Sequence, residues 1–249
     1  MRAMFGDASY NNKHANEFKN IFIKYQGSIM STECEAECLQ YIDKYRDFYN
    51  TQVYFVDTWR ASAIIFASYF RYDLVVLRLI ANGADINITD SYGDTALIDS
   101  CYHGRYDVAL KLIDRNANIN IARCNKRTAL SMLCSGPANQ QQLDVATALI
   151  DRGVDINVFD GHDTPLTHAC LADNSELAIK LIDSGAQFVK YIEKIKTRNC
   201  SQIIDYIIKK YNESIFAAMN DEQPNNMFAT SFKKTYVPQL VNIIVAFIL

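Results

Sequence analysis

The residues best suited to chemistry in this 249-residue chain are four histidines and seven cysteines. His103 follows Cys101 by two residues, and His168 precedes Cys170 by two. Either pair has the residue types of a thiol nucleophile with its base, or of half a metal site. A nucleophile and its base must share hydrogen-bond reach, so the direction of each side chain decides the matter. Cys34 and Cys38 are one helical turn apart with no histidine pair nearby, and no zinc site is expected there. The chain has no glycine-rich phosphate loop, no His-Glu-x-x-His and no Gly-x-Ser-x-Gly. No catalysis, no metal and no cofactor are therefore expected.

The elements that position these side chains follow from a repeat. Asp57 and Asp90 are 33 residues apart, as are Asn87 and Asn120, and Thr95 and Thr128. Thr128 and Thr164 are 36 apart. The longer step reflects an insertion of four residues after Cys134, within Ser-Gly-Pro-Ala-Asn-Gln, less one residue between Asn157 and Thr164. A period of this length fixes the architecture before any local assignment does.

Each copy carries the signals of a helix pair. Thr95, Thr128 and Thr164 stand where a first helix starts, and a threonine hydroxyl caps free backbone N–H groups. Pro165 then falls at the first helical position, which needs no donor. Gly83, Gly153 and Gly185 follow Leu-Ile pairs where a left-handed C-terminal cap is required, and Asn116 replaces glycine in the second copy. Leu97, Leu130 and Leu166, with Ile64, predict one buried ladder. Leu79/Ile80, Leu112/Ile113, Leu149/Ile150 and Leu181/Ile182 predict a second.

Gly93-Asp-Thr-Ala-Leu97, Asp163-Thr-Pro-Leu166 and Leu79-Ile-Ala-Asn-Gly-Ala-Asp-Ile-Asn87 resemble the ankyrin repeat pattern, over just over half of the chain. The first copy departs most, with Ser62-Ala-Ile64 for Thr-Pro-Leu and Arg60 for glycine. The resemblance implies an all-α solenoid of helix-turn-helix units with hairpin fingers and degenerate capping helices at both ends. The expected units are a cap at 1–56 and repeats at 57–89, 90–122, 123–159 and 160–188. Capping helices at 189–211 and a linker with an apolar C-terminal helix at 212–249 complete the chain. Residues 1–12 are polar and are expected to fray. The Ile-, Asn- and Tyr-rich composition also resembles ankyrin proteins of large DNA viruses, for which the compartment would be a host cell.

By this register Cys101, Cys134 and Cys170 each fall six residues after a capping threonine, at an inward position usually held by alanine. They read as reduced, buried thiols, because neighbouring helices sit ~8–10 Å apart and a disulfide needs Cα atoms within about 7 Å. His103 and His168 face outward, away from them. Reduced thiols point to an intracellular, cytoplasmic location, and no secretory leader is evident in residues 5–20.

What remains is a binding surface for a protein partner. In the resemblance, the variable contact positions precede the capping residue by three: Trp59, Tyr92 and Asn125. Groove positions four residues after it are Phe66, Asp99, Met132 and His168, and seven after it Tyr69 and Tyr102, with His103 beside them. Trp59, Phe66 and Tyr69 adjoin the N-terminal cap, which would equally cover them. Arg123, Lys126 and Arg127 form a small positive cluster on one finger. The family also implies asparaginyl hydroxylation at Asn87, Asn120 and Asn157.

Other partners find no support. The net charge is −3 with no basic stripe, so nucleic acid is not expected. The longest apolar run, Val241–Leu249, is far short of the ~20 residues that span a bilayer. A monomer is expected. Residues 235–249 faintly resemble the start of an F-box, through which a substrate adaptor would recruit a cullin-type ubiquitin ligase. The other reading of that segment is a helix folded back on the stack. Leu97→Ala should cost about 2–5 kcal/mol, the usual range for an emptied core site; an unchanged melting temperature would reject the register.

Overall fold

A computed structural model describes residues 8–25, 31–56, 58–188, 191, 195 and 200–220. Asp57, most of the capping helix expected at 189–196, and the C-terminal segment at 235–249 lie outside the described residues.

Five helix pairs follow one another: α1 (Ala8–Lys24) with α2 (Thr32–Lys44), α3 (Ala63–Tyr69) with α4 (Asp73–Ala81), α5 (Ala96–Tyr102) with α6 (Tyr106–Asp114), α7 (Ala129–Cys134) with α8 (Gln140–Asp151), and α9 (Pro165–Leu171) with α10 (Ser175–Asp183). The first helices stack in the order α1, α3, α5, α7, α9, and the second helices likewise from α2 to α10. A last helix, α11 (Ser201–Asn220), packs on α10. The result is the all-α solenoid that the repeats imply. Both leucine ladders are buried along its length.

The helix ends form as local chemistry dictates. The hydroxyls of Thr95, Thr128 and Thr164 accept the N–H groups of Ile98, Ser131 and Thr167 at 3.2, 3.3 and 3.3 Å. Ser62 makes no such bond in the most divergent copy. Gly83, Asn116, Gly153 and Gly185 adopt φ of 83°, 60°, 77° and 96°. This left-handed turn lets the N–H of the next residue return to the carbonyl of Leu79, Leu112, Leu149 or Leu181.

Side chains also tie each repeat to the next. Asn50 Oδ1 accepts the N–H of Asp85 at 2.7 Å, and Asn87 Oδ1 that of Asn118 at 2.7 Å. Asn120 Oδ1 accepts from Asp155 at 2.9 Å, and Asn157 Oδ1 from Gln187 at 2.8 Å. The three asparagines singled out for hydroxylation are thus structural bridges. Within repeat three the insertion gives α8 twelve residues against nine in α4, α6 and α10. Its Gln142 is fully buried and bonds the carbonyls of Leu133 and Gly136 and the amide of Asn174.

Two local expectations change. Residues 8–12 are helical rather than frayed, with the Tyr10 ring 4.2 Å from that of His14 and Asn16 bonded to the Asn12 carbonyl. The finger before the first full repeat is a β-hairpin, β1 (Val53–Val56) antiparallel to β2 (Trp59–Ala61), as the family pattern implies. Finally, α11 runs past residue 211 to Asn220, because Ile215 to Met219 continue an apolar, helix-favouring sequence.

All seven cysteines are free. Cys101, Cys134 and Cys170 are buried where the register puts them, and the Cys200 thiol donates to the Cys170 carbonyl at 3.5 Å. Burial pushes the Cys101 and Cys170 thiols up to about 12. Cys124 alone is exposed. A maleimide should therefore label one thiol per native chain, Cys124, and the remaining six only after denaturation; rapid native labelling of Cys101 or Cys134 would contradict the stack.

Candidate partner-binding groove

The fingers are built on a carboxylate. Asp90 Oδ1 accepts the N–H groups of Tyr92 and Asp94, both at 2.8 Å, which folds the turn back on itself. Asp160 does the same for His162 and Asp163 two repeats later. Gly93, at φ 84°, sits so close to the next finger that a Cβ would meet Arg123 Cα and Cys124 N at 3.1 Å. That approach brings Arg123 Nε within 2.8 Å of Asp94 Oδ1. Arg127 likewise pairs with Asp160 at 3.6 Å. The positive cluster expected on this finger is therefore largely spent on repeat-to-repeat ion pairs, leaving Lys126 exposed.

Six of the ten candidate contact residues gather around one cavity of about 430 Å³ between the first two repeats: Trp59, Tyr69, Tyr92, Asp99, Tyr102 and His103. Tyr92 and Tyr102 are 47% and 59% exposed and stand at its mouth. Trp59 is only 8% exposed. Its indole N–H donates to Asp90 Oδ2 at 2.7 Å, and its ring packs on Phe55, Phe66 and Tyr69. It is a covered wall of the cavity, the second of the two alternatives left open for it. The N-terminal cap buries Phe66 against Phe22, while Tyr69 stays exposed.

Asn125, Met132 and His168 lie apart. Asn125 is exposed at the tip of its own finger and accepts the Arg127 N–H. Met132 is 2% exposed, which removes it as a contact residue. His168 is half-buried, with Nε2 3.0 Å from Asp160 Oδ2. In two repeats the finger leans onto the position four residues after the cap, as Trp59 does on Phe66 and Asp160 on His168. That position is a covered one in this array.

Asp90, Asp94, Ile98 and Arg123 complete the cavity; of these the sequence had singled out only Arg123, as part of the positive finger cluster. The signal for Asp90 and Asp94 was present in the finger motif itself. Burial pushes the Asp94 carboxyl up to about 6, opposed by Arg123 and aided by Asp90. Burial also raises the Asp99 carboxyl well above the usual carboxylate range, with Asp94 and Asp90 adding to it. Burial lowers the His103 imidazole, whose Nδ1 is 3.0 Å from the Asp99 backbone carbonyl. At Asp160 burial acts upward, yet the N–H groups of Asp163 and His162 and the His168 ring together hold it below the usual carboxylate range.

Neither thiol–histidine pair forms. Cys101 is buried in the stack while His103 borders the cavity, and His168 bonds Asp160. Among the described residues, no three His, Cys, Asp or Glu side chains are placed to hold a metal ion. No described helix is long and apolar enough to cross a membrane.

Residues 33–123 match the family model for ankyrin repeats, in three copies. The match opens inside α2 and closes at Arg123, so it spans the cavity and its two flanking repeats. No curated protein matches the chain.

The raised carboxyls set a pH dependence. A carboxyl whose folded value lies above its unfolded 3.8 binds its proton more tightly when folded, so stability falls as pH rises through that window. For Asp94 the window runs from about 4 to about 6. Asp90, Asp94, His103 and Arg123 are the charged or titratable neighbours of Asp99, besides the tyrosines. Asp99→Asn should raise the melting temperature at pH 7 by about 2 °C or more, equivalent to ~1 kcal/mol at this length. The gain should shrink toward pH 5; a lower melting temperature at pH 7 would show a stabilising role for the carboxylate.

Proposed function

Because the chain carries ankyrin repeats, we propose that it is a non-catalytic protein–protein interaction module that binds its partner through the groove between the first two repeats. The supporting observation is the pair Tyr92 and Tyr102, large aromatics held exposed at the mouth of an open cavity. Tyrosine buries much area at small entropic cost and is enriched among interface hot spots. Tyr102 packs edge-on against His103 at 4.9 Å, at the end of α5, with its ring exposed toward the groove.

The alternative is a substrate adaptor that also recruits a cullin-type ubiquitin ligase. It rests on the sequence of residues 235–249, outside the described residues.

Crosslinking mass spectrometry of captured partners separates the two, using the intact chain, a Tyr92→Ala/Tyr102→Ala variant and a chain ending at Asn220. Loss of the partner with the tyrosine variant alone places binding in the groove, and affinity should fall about thirtyfold for ~2 kcal/mol of hot-spot energy. Loss of a ligase subunit with the truncation alone favours the adaptor. Full retention by both folded variants moves the binding site to another face.

A further inference from the structure

We infer that the cavity between the first two repeats is a socket for a cationic side chain, an arginine or lysine of the partner polypeptide, which enters between the exposed tyrosines and meets the Asp99 carboxylate. The inference rests on the groove being the partner-binding face.

Asp99 is the central observation. It is 7% exposed and borders the cavity. Among the described residues no hydrogen bond and no ion pair reaches its carboxylate. A buried carboxylate without a partner is costly, and packing does not require one here. The same register position holds Phe66, Met132 and His168 in the other repeats. Two of these are apolar, and the third is satisfied by Asp160. Only the repeat that faces the open cavity places an unsatisfied carboxyl there.

The protein's own cations do not answer it. Arg123 acts on Asp99 through space, yet its guanidinium is committed to Asp94. Arg105 is committed to Asp73 through a two-pronged ion pair. His103 is held toward its neutral form by burial, with Arg71 and Arg105 pushing the same way. Asp90 is fully used by Trp59 and two backbone N–H groups. The uncompensated group is thus a single buried carboxyl, which an incoming cation would ionise and pair with, in a site whose water-poor wall strengthens that attraction.

The walls fit the same guest. Trp59 and Tyr69 lie 4.8 Å apart between ring centroids, and Tyr69 abuts His103 at 6.2 Å. Tyr92 and Tyr102 complete an aromatic collar. Aromatic faces attract ammonium and guanidinium groups, and guanidinium also stacks on them. Ile98 is the one aliphatic residue in the lining. The volume of about 430 Å³ admits one long side chain with the backbone that carries it.

Trp59 is the only tryptophan in the chain and lines the cavity, so its emission reports occupancy directly. The probes are blocked pentapeptides, Gly-Ala-X-Ala-Gly, with arginine, lysine, leucine or glutamate at X. The arginine or lysine peptide should shift Trp59 emission along a saturating curve, and the leucine and glutamate peptides should not. Asp99→Asn should weaken that binding at least tenfold while circular dichroism stays unchanged, and Tyr102→Ala should weaken it too. Equal or tighter binding of the leucine peptide overturns the socket but leaves the groove as the docking face. Unaltered binding by Asp99→Asn, or no emission change with any peptide at millimolar concentration, also overturns it. The crosslinking comparison of the tyrosine variant tests the groove independently of either result.

Discussion

Each repeat gives one backbone N–H to an asparagine oxygen of the repeat before it. The bond recurs four times, from Asn50 to Asp85, Asn87 to Asn118, Asn120 to Asp155 and Asn157 to Gln187. Stacked apolar faces attract without fixing a register, because burial is non-directional. An amide of fixed length reaching one N–H sets how far apart successive repeats lie and how they are turned. Leu97, Leu130 and Leu166 fall into one ladder because that spacing repeats. The Arg123–Asp94 and Arg127–Asp160 pairs then connect the fingers at the same interval. Asn50 shows that the array begins with the α1–α2 pair, which joins it through the same bond.

The carboxylate cluster illustrates a different allocation. Fold stability would improve with a neutral side chain at Asp99, since its environment favours the protonated form. Residues retained against stability are typical of sites that act on something outside the fold. The chain's net charge of −3 gives no hint of this concentration, which is created by folding the Asp90 turn over the start of α5.

Much of the architecture was legible because it is local. Thr95, Thr128, Thr164, Pro165, Gly83 and Asn116 act within one turn of their own positions, so their spacing carried the helix pairs and their ends. The groove was half legible. Register alone assigned Met132 and Asp99 the same surface role, but exposure depends on what the finger lays over them, which is a tertiary fact. Arg123, Lys126 and Arg127 read as one patch in sequence, whereas the chain aims the two arginines at carboxylates in different repeats. For Trp59 the sequence left exposure and burial equally open, and the fold decides it by drawing the indole N–H inward to Asp90.

The cavity lies between two interior members of a one-dimensional array, with the α1–α2 pair on one side and two further repeats on the other. In such arrays each unit is stabilised by its immediate neighbours, and opening begins at the ends. Excursions that detach α11 or the α9–α10 pair therefore leave the walls of the cavity in place. Binding there is insulated from whatever befalls the C-terminal end, and a guest spanning both repeats would in turn clamp the interface on which the central units depend.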